Sequence, residues 1–115
     1  MFVLRKAAGI PAAVKGGKSN VLLTDGELQE QVSKLDGWKL EDGAMVRKYM
    51  FSDFMKGIAF VDEVAAISEA FTHHPHITID YKTVTLRLST GEEGGITALD
   101  IREAHEFNEA FEKTR

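Results

Sequence analysis

Residues 69–81 read Glu-Ala-Phe-Thr-His-His-Pro-His-Ile-Thr-Ile-Asp-Tyr, and within them the spacing of apolar side chains changes from helical to alternating. Upstream, Phe54, Ile58, Val61 and Val64-Ala65 form one apolar stripe, and Phe60, Ile67 and Phe71 form a second; this predicts a long helix capped by Ser52. Downstream, Ile77, Ile79 and Tyr81 alternate with polar residues, and Val84, Leu86 and Leu88 repeat the pattern up to Ser89, which predicts a hairpin. The corner between them carries His73 and His74, stiffened by Pro75 and preceded by Glu69. Imidazole titrates at about pH 6.5, so two of them at a structured corner suggest acid/base chemistry. The plainer reading is that adjacent histidines at a helix end cap it or face solvent.

Toward the N-terminus, Thr24-Asp25-Gly26-Glu27 has capping-box spacing, and Leu28, Val32 and Leu35 recur at helical intervals, giving a first helix over about 25–35. Trp38 and Leu40, then Met45, Arg47, Tyr49 and Phe51, alternate on either side of Asp42-Gly43, a second hairpin. Toward the C-terminus, Thr97 is placed to cap a last helix with Asp100 as its partner, and Ile101, Ala104, Phe107 and Phe111 form its apolar face. The order is α-β-β-α-β-β-α. Hairpin strands with helices between and after them predict an α+β fold: a four-stranded antiparallel sheet with three helices on one face. The two-sided apolar helix from Ser52 to Phe71 fits either core burial alone or additional packing against a second subunit.

A chain of 115 residues, 43% hydrophobic, suits one domain around one core, here residues 21–115. With no cysteine there is no disulfide, thiolate nucleophile or cysteine zinc site. Arg5, Lys6, Lys15 and Lys18 without any acid in residues 1–20 turn the formal charge of −4 into −8 over the remainder. An acidic body without a basic stripe argues against direct nucleic-acid binding. The apolar runs Phe2–Leu4 and Ala7–Val14 are too short and broken to span a membrane, so residues 1–20 read as a basic arm, flexible or docked, with an organellar presequence as the alternative. His76 adds an HHxH pattern with Asp80 nearby, but successive residues past a proline do not converge easily on one ion, so no metal site is expected.

Glu69, His73-His74-Pro75, Tyr81 and Ser89-Thr90, with Trp38, Phe51-x-x-Phe54 and the Gly95-to-Asp100 segment, resemble the pterin-4a-carbinolamine dehydratases over roughly Leu23 to Phe111. The resemblance implies dehydration of 4a-hydroxytetrahydropterin to the quinonoid dihydropterin, in tetrahydrobiopterin recycling, without metal or cofactor. It implies a cytoplasmic homodimer or homotetramer, with His73 and His74 catalytic and Glu69, Pro75 and Asp100 binding substrate or supporting the site. Asp100 is also explained as a helix-start carboxylate. One departure stands out: Gly91 follows Ser89-Thr90 where the family pattern carries a third active-site histidine. A positioned acid or base contributes roughly 10²- to 10⁴-fold in rate, so the alternative is a noncatalytic scaffold that binds pterin or a protein partner.

Overall fold

Two turns set the sheet. In the computed structural model, which describes residues 22–89 and 95–115, Asp42 and Gly43 both adopt positive φ, 50° and 77°. Two successive left-handed residues give the tight turn whose twist matches antiparallel strands. They join β1 (Lys39–Glu41) to β2 (Ala44–Met50), with Glu41 opposite Ala44. The second hairpin joins β3 (His76–Asp80) to β4 (Thr83–Leu88) through Tyr81 and Lys82, with Asp80 opposite Thr83. Tyr81 takes φ 53° there, so it is a turn residue and largely exposed, where the alternation of Ile77 and Ile79 extended the strand through it. β2 and β4 pair antiparallel down the centre, giving the order β1-β2-β4-β3.

The register puts Met45, Arg47 and Tyr49 opposite Leu88, Leu86 and Val84, so one face is apolar apart from the Arg47 head. The other face carries Val46, Lys48 and Met50 opposite Arg87, Thr85 and Thr83, and is left open by the helices. That is the period-two signature of a sheet covered on one side.

Three helices cover the apolar face. α1 (Asp25–Ser33) begins with the expected capping box, Thr24 Oγ1 accepting from Glu27 N and Glu27 Oε1 from Thr24 N. α2 (Phe54–Phe71) is capped by Asp53, whose carboxylate accepts from Lys56 N at 2.8 Å, one residue after the expected Ser52. α3 (Ala98–Thr114) opens with the Thr97–Asp100 capping box. Leu22 bridges Thr97 and Leu23 N donates to Ile96 O, which ties the start of α1 to the start of α3.

The core joins Phe60, Val64, Ile67 and Phe71 of α2 to Ala104, Phe107, Ala110 and Phe111 of α3, with Val32 and Leu35 from the α1 end and the inner residues of β2 and β4. Tyr49, Phe51, Phe60 and Phe111 form an aromatic cluster with centroids 4.6–6.1 Å apart. Pairs in such geometry contribute about 0.5–1.5 kcal/mol each beyond area burial. Of the two stripes on α2, Phe60, Ile67 and Phe71 are buried, whereas of the other only Val64 is buried, with Ile58 and Val61 half-buried and Phe54 and Ala65 exposed.

A polar clasp closes the β1 end. Asn108 Oδ1 on α3 accepts from Trp38 Nε1 at 3.0 Å, Arg47 Nη1 at 2.7 Å and Tyr49 Oη at 2.6 Å. Its amide nitrogen donates to Asp36 O, to which Arg47 also donates. Gly37 beside it has φ 80°, and a Cβ there would collide with the Arg47 guanidinium.

Candidate active site

The end of α2 is built by Thr72 in the left-handed region, φ 51° and ψ 43°. Thr72 N donates to Glu69 O and His73 N to Ser68 O, the paired bonds of a Schellman motif that satisfy carbonyls the helix would otherwise leave open. A threonine in this conformation is strained by about 1–2 kcal/mol relative to the right-handed form. The chain then turns sharply, and Pro75 leads it extended into β3.

This turn sends the two histidines in different directions. His73 goes inward to the first turns of α3, where Nδ1 stands 2.7 Å from Glu103 Oε1 and Nε2 3.5 Å from Asp100 Oδ1. Its side chain is 14% exposed and both carboxylates are fully buried. Asp100 serves two partners, because its other oxygen accepts from Thr97 N at 2.9 Å to cap α3. The structural and site readings of Asp100 are therefore compatible in one side chain. His74 goes outward: its Nε2 lies 2.7 Å from Glu69 Oε2, with both side chains more than half exposed.

Burial pushes the Glu103 carboxyl up to about 7, with the His73 hydrogen bond opposing. His73 is raised as well, chiefly by its hydrogen bond to Glu103 and against the effect of burial. The two shifts agree in consequence: the pair keeps protons to higher pH than either group would in water. Nδ1 is engaged by Glu103, and Nε2 is the ring nitrogen that faces Asp100.

Glu103 is the site residue that sequence reasoning missed. Its signal was its position: with Asp100, Phe107 and Ala110 it shares the 3-4-3 spacing of the buried stripe of α3, where an unpaired carboxylate would be costly. His76 begins β3 opposite Arg87, on the open face and away from His73, so the HHxH pattern does not converge. Among the described residues no group of three or more His, Asp or Glu side chains is arranged to hold a metal ion. His105 is exposed near Glu109, Trp38 is buried in the clasp, and no helix among these residues is long and apolar enough to cross a membrane. Gly91 and the basic arm 1–20 lie outside the described residues.

The chain matches the family model "Pterin 4 alpha carbinolamine dehydratase" over residues 21–110. A relative from Koribacter versatilis named "Putative pterin-4-alpha-carbinolamine dehydratase" is 46% identical over 87 residues, 76% of this chain and 93% of the relative. One of the same name from Sulfurisphaera tokodaii is 34% identical over 87 residues, 76% and 94% of the two chains. The crystal structure of a transcriptional coactivator/pterin dehydratase from Brucella melitensis superposes with a TM-score of 0.75 at 35% identity, covering 78% of this chain and 98% of that one.

Proposed function

The chain belongs to the pterin 4 alpha carbinolamine dehydratase family, and from that membership we propose that it dehydrates 4a-hydroxytetrahydropterin to the quinonoid dihydropterin and water. The C4a–oxygen bond breaks, the departing hydroxyl gains a proton, and the adjacent ring nitrogen loses one. Electrons stay within the ring system, so two proton transfers complete the step without a redox partner.

The observation that carries this reading is His73, tied at the αL corner between two buried carboxylates, with the more exposed His74 next in the chain. Such a pair supplies one imidazole held in a proton-rich setting and one in contact with water, the division of labour that a general acid and a general base require. Glu69 orients His74, Asp100 flanks His73 while capping α3, and Pro75 fixes the direction in which the chain leaves the corner. The setting is tetrahydrobiopterin recycling in the cytoplasm, with no cofactor and with a homodimer or homotetramer as the working form. The exposed Phe54 and Met55 at the start of α2 support self-association.

A second reading, a noncatalytic pterin- or protein-binding scaffold, is favoured by one sequence feature, the glycine at position 91. The deciding experiment measures the dehydration rate of freshly generated 4a-hydroxytetrahydropterin with and without the protein, with His74→Ala as control. Acceleration lost in the variant supports the enzyme; a rate equal to the uncatalysed background sinks it and leaves the scaffold. His74 is the better first target because it is exposed, whereas His73→Ala strips the buried Glu103 of its partner, an effect on folding that the sequence did not foretell.

A further inference from the structure

We propose that Glu103 is a positioning residue of this site: by engaging Nδ1 it fixes the orientation of the His73 ring and makes Nε2, beside Asp100, the nitrogen that hands a proton to the leaving hydroxyl. The proposal deepens the dehydratase reading and rests on it for its kinetic arm alone.

The geometry carries the argument. Glu103 is fully buried, its Oε1 is 2.7 Å from His73 Nδ1, and its Oε2 meets no hydrogen-bond donor among the described residues. A carboxylate in that position has one use within reach, the imidazole in front of it. An imidazole with a carboxylate on one nitrogen has its tautomer and ring plane set by that contact, and its other nitrogen made more basic. The groups that face the pair are Asp100 and Glu103 from α3, the Ser89 backbone at the end of β4, and His74 from the corner itself. Two carboxylates against one ring favour the imidazolium, which is the form that donates. The proton leaves Nε2 for the departing oxygen and returns from water or from the ring nitrogen of the next substrate, so the cycle closes with no net proton consumed at the site.

The test uses Glu103→Gln in the full chain. The amide keeps an acceptor for Nδ1–H and removes the charge. Ring-nitrogen NMR of His73, recorded without substrate, is expected to show its titration midpoint lowered by about 1–3 pH units. Because the donating form then empties earlier, the loss of dehydration rate widens with pH and is at least ~10-fold greater at pH 8 than at pH 6. Glu103→Leu, which suits the apolar stripe, serves as the second variant: it is expected to lower the midpoint as well and to release the tautomer, seen as mixed Nδ1/Nε2 protonation. An unchanged His73 midpoint in both variants overturns the proposal, as does a rate loss of equal factor at every pH, the mark of a purely structural role. A shifted midpoint in a wild-type protein without turnover would refute the dehydratase reading while upholding Glu103 as the group that controls His73.

Discussion

Asn108→Ala tests whether the polar clasp is a principal fastening of the fold. One side-chain oxygen accepts three donors, from Trp38, Arg47 and Tyr49. Arg47 keeps Asp36 O at 2.6 Å when the amide is removed, so it retains a partner. Trp38 Nε1 and Tyr49 Oη belong to side chains 4% and 0% exposed, and burial pushes the Tyr49 phenol well above its usual range, so it remains a donor throughout the accessible pH range. Two buried donors left without an acceptor at about 1–3 kcal/mol each put the loss at about 4 kcal/mol, a large part of the 5–15 kcal/mol typical of a domain. The assay is urea unfolding followed by fluorescence, for which the single tryptophan is itself a member of the clasp. Asn108→Asp preserves the acceptor and places a negative charge beside Arg47, forfeiting the bond to Asp36 O, so it is expected to stay within about 1 kcal/mol of wild type. If alanine costs less than about 1 kcal/mol, or aspartate is as damaging as alanine, the oxygen is not what holds this corner together.

The remaining predictions concern the histidine corner. Glu103 has a folded pKa of about 7 against 4.5 for the free group, so the folded state holds the extra proton; its stabilisation is present below pH 4.5 and is lost as pH rises to about 7. At 1.36 kcal/mol per unit this amounts to about 3 kcal/mol, and Glu103→Gln, which cannot titrate, should gain that much on wild type between pH 4.5 and pH 8; parallel urea midpoints across this range would refute it. His73→Ala should be destabilised by an amount that keeps growing above pH 7 at about 1.4 kcal/mol per unit, because the carboxyl loses the partner that lowers its pKa, and His73→Ala combined with Glu103→Leu should recover most of the loss in the same titration. Thr72→Gly removes a β-branched residue from the left-handed region and should raise stability by up to about 1 kcal/mol in urea unfolding; a decrease would show that the threonine side chain contributes more than its strain costs.

What could be read from the sequence was what short-range chemistry determines. Capping boxes at Thr24 and Thr97, the Asp42-Gly43 turn and the alternation in β2 and β4 each rest on residues within a few positions of one another, and each appears as expected. Boundaries slipped where two residues could do one job: Ser52 and Asp53 are both good N-caps, and the alternation that includes Tyr81 continues one residue into the turn. The histidine corner was legible as a corner, but not the divergence of its side chains, because a single αL residue redirects everything after it. Glu103 was hidden for a different reason. A glutamate is expected at the surface, and only the packing of α2 against α3, thirty residues apart in sequence at this contact, encloses it with His73.

His73 and His74 share a peptide bond yet meet different surroundings, one ring 14% exposed against buried acids and the other 58% exposed to the medium. Protons on the outer ring equilibrate with bulk water almost freely, whereas a proton on the inner Nδ1, 2.7 Å from the fully buried Glu103 carboxylate, exchanges only when that contact opens. Hydrogen isotope supplied by the solvent therefore reaches the two rings at different speeds. A label placed on the inner one persists for a time that records how often this corner opens, which makes the pair a built-in clock for local breathing at the end of α2.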